Sequence, residues 1–228
     1  MSLLSALIPL ALLGAIIGLD VVSFPQAMWS RPIVGATLGG ALVGRPDAGL
    51  VAGVVLELLA MDTLPVGASR YPDWGTAGVI GGAIHAAHPS HPSGALAVAI
   101  LAALATAWAG SWSMYALRKL NGSWHTASTP DLDAGSRDAV MGLQLRGLAA
   151  DLLRGALVTV VALVAFDSLA NIMLDRWSLG STMTNVVIVV IAAGTASAAA
   201  WTLTHSTART RWYAFSGVAL GVAIMALR

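Results

Sequence analysis

Apolar positions in this chain come in long runs with no strand-like alternation. Leu3 to Leu19 is almost wholly apolar, as are Gly94 to Leu117, Asn185 to Leu203 and Trp212 to Leu227, and Gly147 to Leu174 is largely so. The Gly94 to Leu117 run has 24 residues, which as a helix is about 36 Å long and crosses a hydrocarbon core of about 30 Å. Four spans are therefore predicted in the second half. Tryptophans 108, 112, 177, 201 and 212 fall in or beside them, several at the ends, where an interfacial belt places indoles. The polar stretch 118–146 carries Arg118, Lys119, Arg137 and Arg146; the loop 204–211 carries Arg209 and Arg211; the loop 175–184 carries only Arg176. The bias of basic residues predicts that the first two face the cytoplasm and the third the outside. The N-terminal apolar segment has no basic flank, and it reads as a retained membrane segment, not a cleaved signal.

The first half has another texture. Seven of the nine prolines lie between Pro25 and Pro92, and 12 of the 24 glycines between Pro32 and Gly94. The apolar runs shrink to Ile33–Gly44, Gly49–Ala60 and Thr76–Ala87, each too short to span as a simple helix and suited to re-entrant or broken segments. Gly44-Arg45-Pro46-Asp47 separates the first two as a hairpin tip would. Backbone broken at membrane depth is stable only when protein covers it or a cavity receives it. The expectation is an all-α polytopic membrane protein forming one integrated membrane domain. Residues 1–93 would be the half that holds the substrate site, and residues 94–228 a helical half with the cytoplasmic loop 118–146.

Composition narrows the class. Only 10% of the 228 residues are charged and the mean hydropathy is +0.79, too few charges to clothe a soluble fold, a disordered chain or a nucleic-acid binder. There is no cysteine, so disulfides and thiolate chemistry are excluded. Glu57 is the only glutamate and Lys119 the only lysine.

An ionisable group in an apolar segment is costly and is by default a functional candidate. Glu57 sits in the run Gly49 to Ala60, with Asp62 and Asp73 following. Its carboxylate can accept several hydroxyl hydrogen bonds, as a sugar requires, or simply be satisfied by a neighbouring backbone. Asp20, Gln26 and Arg31 form a polar group framed by Pro25 and Pro32. They can line a site or make an interfacial loop. His85, His88 and His91 recur every third residue, but Pro89 and Pro92 interrupt the helix that would align them. An exposed outer loop is therefore favoured over a metal site, and no cofactor or metal is expected. Asp151 and Arg154, at i and i+3, read as an interfacial ion pair. Asp167 and Asn171 share a helical face. Walker, HExxH and dinucleotide-binding patterns do not occur.

Residues 20 to 75 resemble enzyme IIC of the mannose/fructose/sorbose family of the sugar phosphotransferase system. The resemblance rests on Asp20, Gln26, Ser30-Arg31-Pro32, then Gly49-Leu-Val-Ala-Gly-Val-Val-Leu-Glu57-Leu-Leu, then Val66-Gly67 and Pro72-Asp73. Asp62 departs from the glycine usual in relatives. The resemblance implies a sugar-translocating subunit that works with a IID membrane subunit, moves its sugar in an elevator-like manner and is oligomeric. It also implies that cytosolic IIA and IIB proteins carry the phosphoryl group, so that none of the histidines here need be catalytic. By the same resemblance the substrate, a hexose, would meet Glu57, Asp73, Gln26, Asp20, Asp62 and Arg31, and the chain would lie in the bacterial cytoplasmic membrane. A transporter of the same ancestry without phosphoryl coupling, or a non-transport membrane subunit, are the alternatives.

Overall fold

A computed structural model describes residues 3, 5–61, 70–179 and 181–226, and these form helices with no strand among them. In chain order they are α1 (Leu7–Asp20), α2 (Pro32–Val43), α3 (Pro46–Leu59), α4 (Trp74–Ala87), α5 (Pro92–Asp133), α6 (Arg137–Asp175), α7 (Ser181–Thr204) and α8 (Ala208–Ala226). The all-α, broken-helix expectation holds. α2, α3 and α4 have 12, 14 and 14 residues, about 18–21 Å of helix, which is short of a bilayer core of about 30 Å. Their starts are written in the sequence. Pro32, Pro46 and Pro92 open α2, α3 and α5, where a missing N–H costs nothing. Gly44 ends α2 at φ 98°, returning its N–H to Ala41 and Gly40, a left-handed position that suits glycine.

Small residues let these short helices meet backbone to backbone. A Cβ on Gly40 would lie 2.7 Å from the Gly49 Cα, and one on Gly53 2.9 Å from the Ile33 Cα, so α2 and α3 form an antiparallel hairpin. A Cβ on Gly78 would lie 2.9 Å from the Pro32 carbonyl, and one on Gly39 2.6 Å from that of Val79, so α2 and α4 run parallel. α4 is buried from Gly75 to Ala86 and forms the centre of the bundle. α1 lies along α6, where a Cβ on Gly155 would meet the Gly14 carbonyl at 2.7 Å. The main core joins Leu10, Ile17, Val79, Ile80, Ile84 and Leu163. The glycines of α2, α3 and α4 are thus contact surfaces, with Gly44 as the cap of α2.

α5 and α6 contain 42 and 39 residues, about 63 and 58 Å of helix, roughly twice the core thickness. The polar stretch 118–146 is not an irregular loop. It is a helical hairpin made from the end of α5 and the start of α6, turning at Ala134–Ser136, with Ser136 accepting from the Ala139 N–H. α5, α6 and α7 are long and apolar enough to cross a membrane. α7 and α8 pack little of their surface against the bundle, and large apolar side chains such as Val189, Val190, Phe215 and Leu220 are exposed.

Candidate functional site

The C-terminal ends of α1 and α3 and the N-terminal ends of α2 and α4 meet at one level of the bundle. Helix starts present unpaired N–H groups and a partial positive charge, and carboxylates occupy both of those present here. The Glu57 Oε2 accepts from the Ile33 N–H at 3.2 Å, at the start of α2. Asp73 is the N-cap of α4 and accepts from the Thr76 N–H at 3.2 Å.

Glu57 also pairs with Arg31. The Arg31 Nε donates to Glu57 Oε1 at 2.6 Å, and Nη2 donates to the same oxygen. The two side chains remain 29% and 22% exposed, so the pair is neutralised without being sealed off. Arg31 lines a cleft with Val21, Ser30, Tyr71, Pro72 and Trp74. The cleft's volume is about 60 Å³, room for about two waters. An indole, a phenol and a guanidinium among the lining residues are suited to a polyhydroxylated ligand, offering an apolar face and hydrogen-bond donors.

Asp20 and Asp73 are placed differently. Asp20 is 2% exposed and accepts from the Ala27 N–H at 2.6 Å and the Ser30 N–H at 2.8 Å. It holds the turn 21–31 in shape. Gln26 (φ 57°) and Met28 (φ 64°) both lie in the left-handed region within that turn, a costly conformation for non-glycine residues that persists only when surrounding bonds fix it. The Gln26 side chain is exposed and donates to the Val22 carbonyl at 2.8 Å. Asp73 is fully buried, and its Oδ2 accepts from Arg154 Nη1 at 2.7 Å. Asp62 lies outside the described residues, as do Val66 and Gly67.

The network around Arg154 escaped the sequence reading. Asp151 and Arg154 are a buried junction, not an interfacial pair. Arg154 Nε donates to Asp151 Oδ1 at 2.8 Å, Nη1 to Ser113 Oγ at 3.2 Å and Nη2 to the Gly18 carbonyl at 3.3 Å. Ser23 donates to Asp151 Oδ2 at 2.5 Å. One guanidinium thus ties α1, α4, α5 and α6 together. The available signal was a charged residue seven positions into the span predicted from Gly147.

The histidines differ from expectation too. His85 is buried, with Nδ1 2.9 Å from the Ala48 carbonyl. His88 caps the end of α4 and reaches α6, with Nε2 3.1 Å from Asn171 Oδ1 and 3.6 Å from Asp167 Oδ1. They are joints between helices, not a free loop. No group of three or more metal-ligating side chains occurs among the described residues.

Residues 4–199 match the family model described as the sorbose-specific IIC component of the phosphotransferase system. No curated protein matches significantly. Two solved structures share the fold. One, described only as a membrane protein, has a TM-score of 0.72 at 20% identity, covering 98% of this chain and 94% of that one. The other is the mannose transporter ManYZ in complex with a microcin, with a TM-score of 0.62 at 20% identity, covering 100% of this chain and 94% of that one. The family match spans most of the bundle and takes in every residue of the polar layer, so the chain belongs to the sorbose-specific IIC family and is a multi-pass, sugar-translocating membrane subunit of a sugar phosphotransferase system.

Proposed function

We propose that the chain supplies the sugar path of a permease in the bacterial cytoplasmic membrane, and that Arg31 and Glu57 are its sugar contacts. The observation that carries this is the partly exposed Arg31–Glu57 pair, set where α1 and α3 end and α2 and α4 begin, with Arg31 lining the Tyr71–Trp74 cleft. The Glu57 carboxylate accepts three of the about four hydrogen bonds it can take, so a sugar hydroxyl can donate to it without displacing Arg31. Asp20 and Asp73 act indirectly, by fixing the 21–31 turn and the start of α4. At about 60 Å³ the cleft is below the roughly 300 Å³ at which small-molecule pockets begin, so a hexose enters with a widening between α2, α3 and α4.

The reading includes a second membrane subunit of the IID type and cytosolic IIA and IIB proteins as the source of phosphate. The large exposed apolar faces of α7 and α8 leave room for a membrane partner. The test is twofold. Glu57→Gln should lose binding of radiolabelled mannose and sorbose by the purified complex while remaining folded, and the chain should co-purify with a IID subunit encoded beside it. Normal sugar affinity in Glu57→Gln would reject the site. Uptake by the chain alone would reject the partner.

A further inference from the structure

A second cleft opens where α5 and α6 leave the bundle as the helical hairpin. Ser23, Asn121, Trp124, His125, Gln144 and Gly147 are among its lining residues, and its volume is about 400 Å³. That is within the range of small-molecule sites, roughly 300–1,000 Å³. The lining holds two carboxamides, a hydroxyl, an imidazole and an indole, and no carboxylate, lysine or arginine. Carboxamides donate and accept at once, as sugar hydroxyls do, and an indole offers an apolar face to sugar C–H groups. A lining with no carboxylate, lysine or arginine gives an anionic or cationic ligand no permanent counter-charge. The Asn121 side-chain oxygen is buried with no hydrogen-bond donor among the described residues, and a ligand hydroxyl would satisfy it.

The two clefts are neighbours. Val21 lines the Arg31 cleft and Ser23 lines this one, and two residues of chain reach at most about 7 Å. Ser23 in turn donates to Asp151, which binds Arg154, which binds Asp73 at the start of α4. We propose that this second cleft is a binding site for a neutral sugar, a station beside the Arg31–Glu57 cleft on the side of the helical hairpin. The proposal rests on the reading that the chain moves sugar.

The experiment uses the full chain, purified with its membrane partner, and photoactivatable derivatives of mannose and sorbose as probes. Label is mapped to peptides and competed with unmodified sugar. Label within residues 121–148 that is competed, and reduced at least tenfold in Gly147→Leu, is the expected result, with label around residues 57–75 retained. A Cβ at Gly147 meets nothing nearer than the Asn121 amide at 3.8 Å, and leucine favours helix over glycine, so a side chain can start there without a backbone clash and take up space in the cleft that Gly147 lines. Trp124→Ala, which removes the indole face from the lining, tests the same site should Gly147→Leu not fold. Competed label around 57–75 alone would overturn the second site and leave the proposed function standing. No competed label anywhere would overturn both. Label at 121–148 indifferent to both variants, or loss of the membrane partner from Gly147→Leu with sugar label unchanged, would also overturn the proposal, the latter assigning the cleft to subunit docking.

Discussion

Arg154 and Asp73 are 81 positions apart in sequence, yet the Arg154 Nη1 donates to the Asp73 Oδ2 at 2.7 Å with both side chains buried. Removing the arginine would leave Asp73 and Asp151 facing each other without a cation. Breaking a buried pair in this way costs about 3–5 kcal/mol. Arg154→Met should therefore lower the unfolding temperature of the detergent-solubilised protein markedly. Asp73→Asn should cost less, about 1–3 kcal/mol: its single amide oxygen can serve Arg154 or the Thr76 N–H, which Asp73 meets with separate oxygens, but Asp151 still pairs with the guanidinium. Adding Asp73→Asn to Arg154→Met should recover part of the loss. Strict additivity of the two changes would mean that the residues are not coupled.

The Arg31–Glu57 pair makes a separate prediction. Arg31 uses Nε and Nη2 on a single carboxylate oxygen, a fork that a lysine ammonium cannot reproduce. Arg31→Lys keeps the charge and loses the geometry. Sugar affinity in Arg31→Lys should fall by about tenfold or more, on the order of 1.4 kcal/mol, with the unfolding temperature little changed because the pair is partly exposed. Equilibrium binding of labelled sugar reads this directly, and unaltered affinity would remove Arg31 from the site.

Much of this fold was legible because proline and glycine punctuate it. Pro32, Gly44, Pro46 and Pro92 mark helix ends that the structure places within three residues of the predicted runs. The helical nature of 118–146 was not legible, since an exposed helix of mixed polar residues has no apolar stripe to read. Glu57 and Arg31 stood out singly, but their pairing across 26 residues depends on the α2–α3 hairpin closing through Gly40, Gly49 and Gly53. The Arg154 junction was hidden more deeply. An Asp and an Arg at i and i+3 look the same at an interface and in a core, and only the close approach of α1 and α6 decides between them. His88 meets Asp167 and Asn171 for a similar reason, through the packing of α4 on α6.

The basic residues of the helical hairpin predict that it faces the cytoplasm. The chain has no cysteine, so a single introduced thiol reports cleanly. Ser136, at the turn between α5 and α6, is the site to choose. Ser136→Cys should react with a membrane-impermeant maleimide in inverted vesicles and stay unreactive in intact cells. Ready labelling from outside would invert the topology and move the second cleft to the outer face.

A methyl group added at Gly82 and one added at Gly147 meet different surroundings. Gly82 lies on the crossing of α2 and α4, where an added Cβ would collide with the Ala36 carbonyl, and Ala36 Cα would be 2.5 Å away. Backbone cannot yield as a flexible side chain can, so the two helices would have to separate. Overpacking of this kind costs about 1–3 kcal/mol and occasionally more. Gly147 faces only the Asn121 amide, at 3.8 Å, and there the helix propensity of alanine dominates, worth up to about 1 kcal/mol in its favour. Gly82→Ala should thus lower the unfolding temperature and Gly147→Ala should leave it unchanged or raise it. Because the α2–α4 crossing also positions the Arg31 and Asp73 ends of those helices, Gly82→Ala should weaken sugar binding as well. Thermal unfolding followed by size-exclusion chromatography, with binding of labelled mannose and sorbose alongside, checks both arms. A Gly82→Ala protein as stable as the parent would show that α2 and α4 do not meet through their backbones.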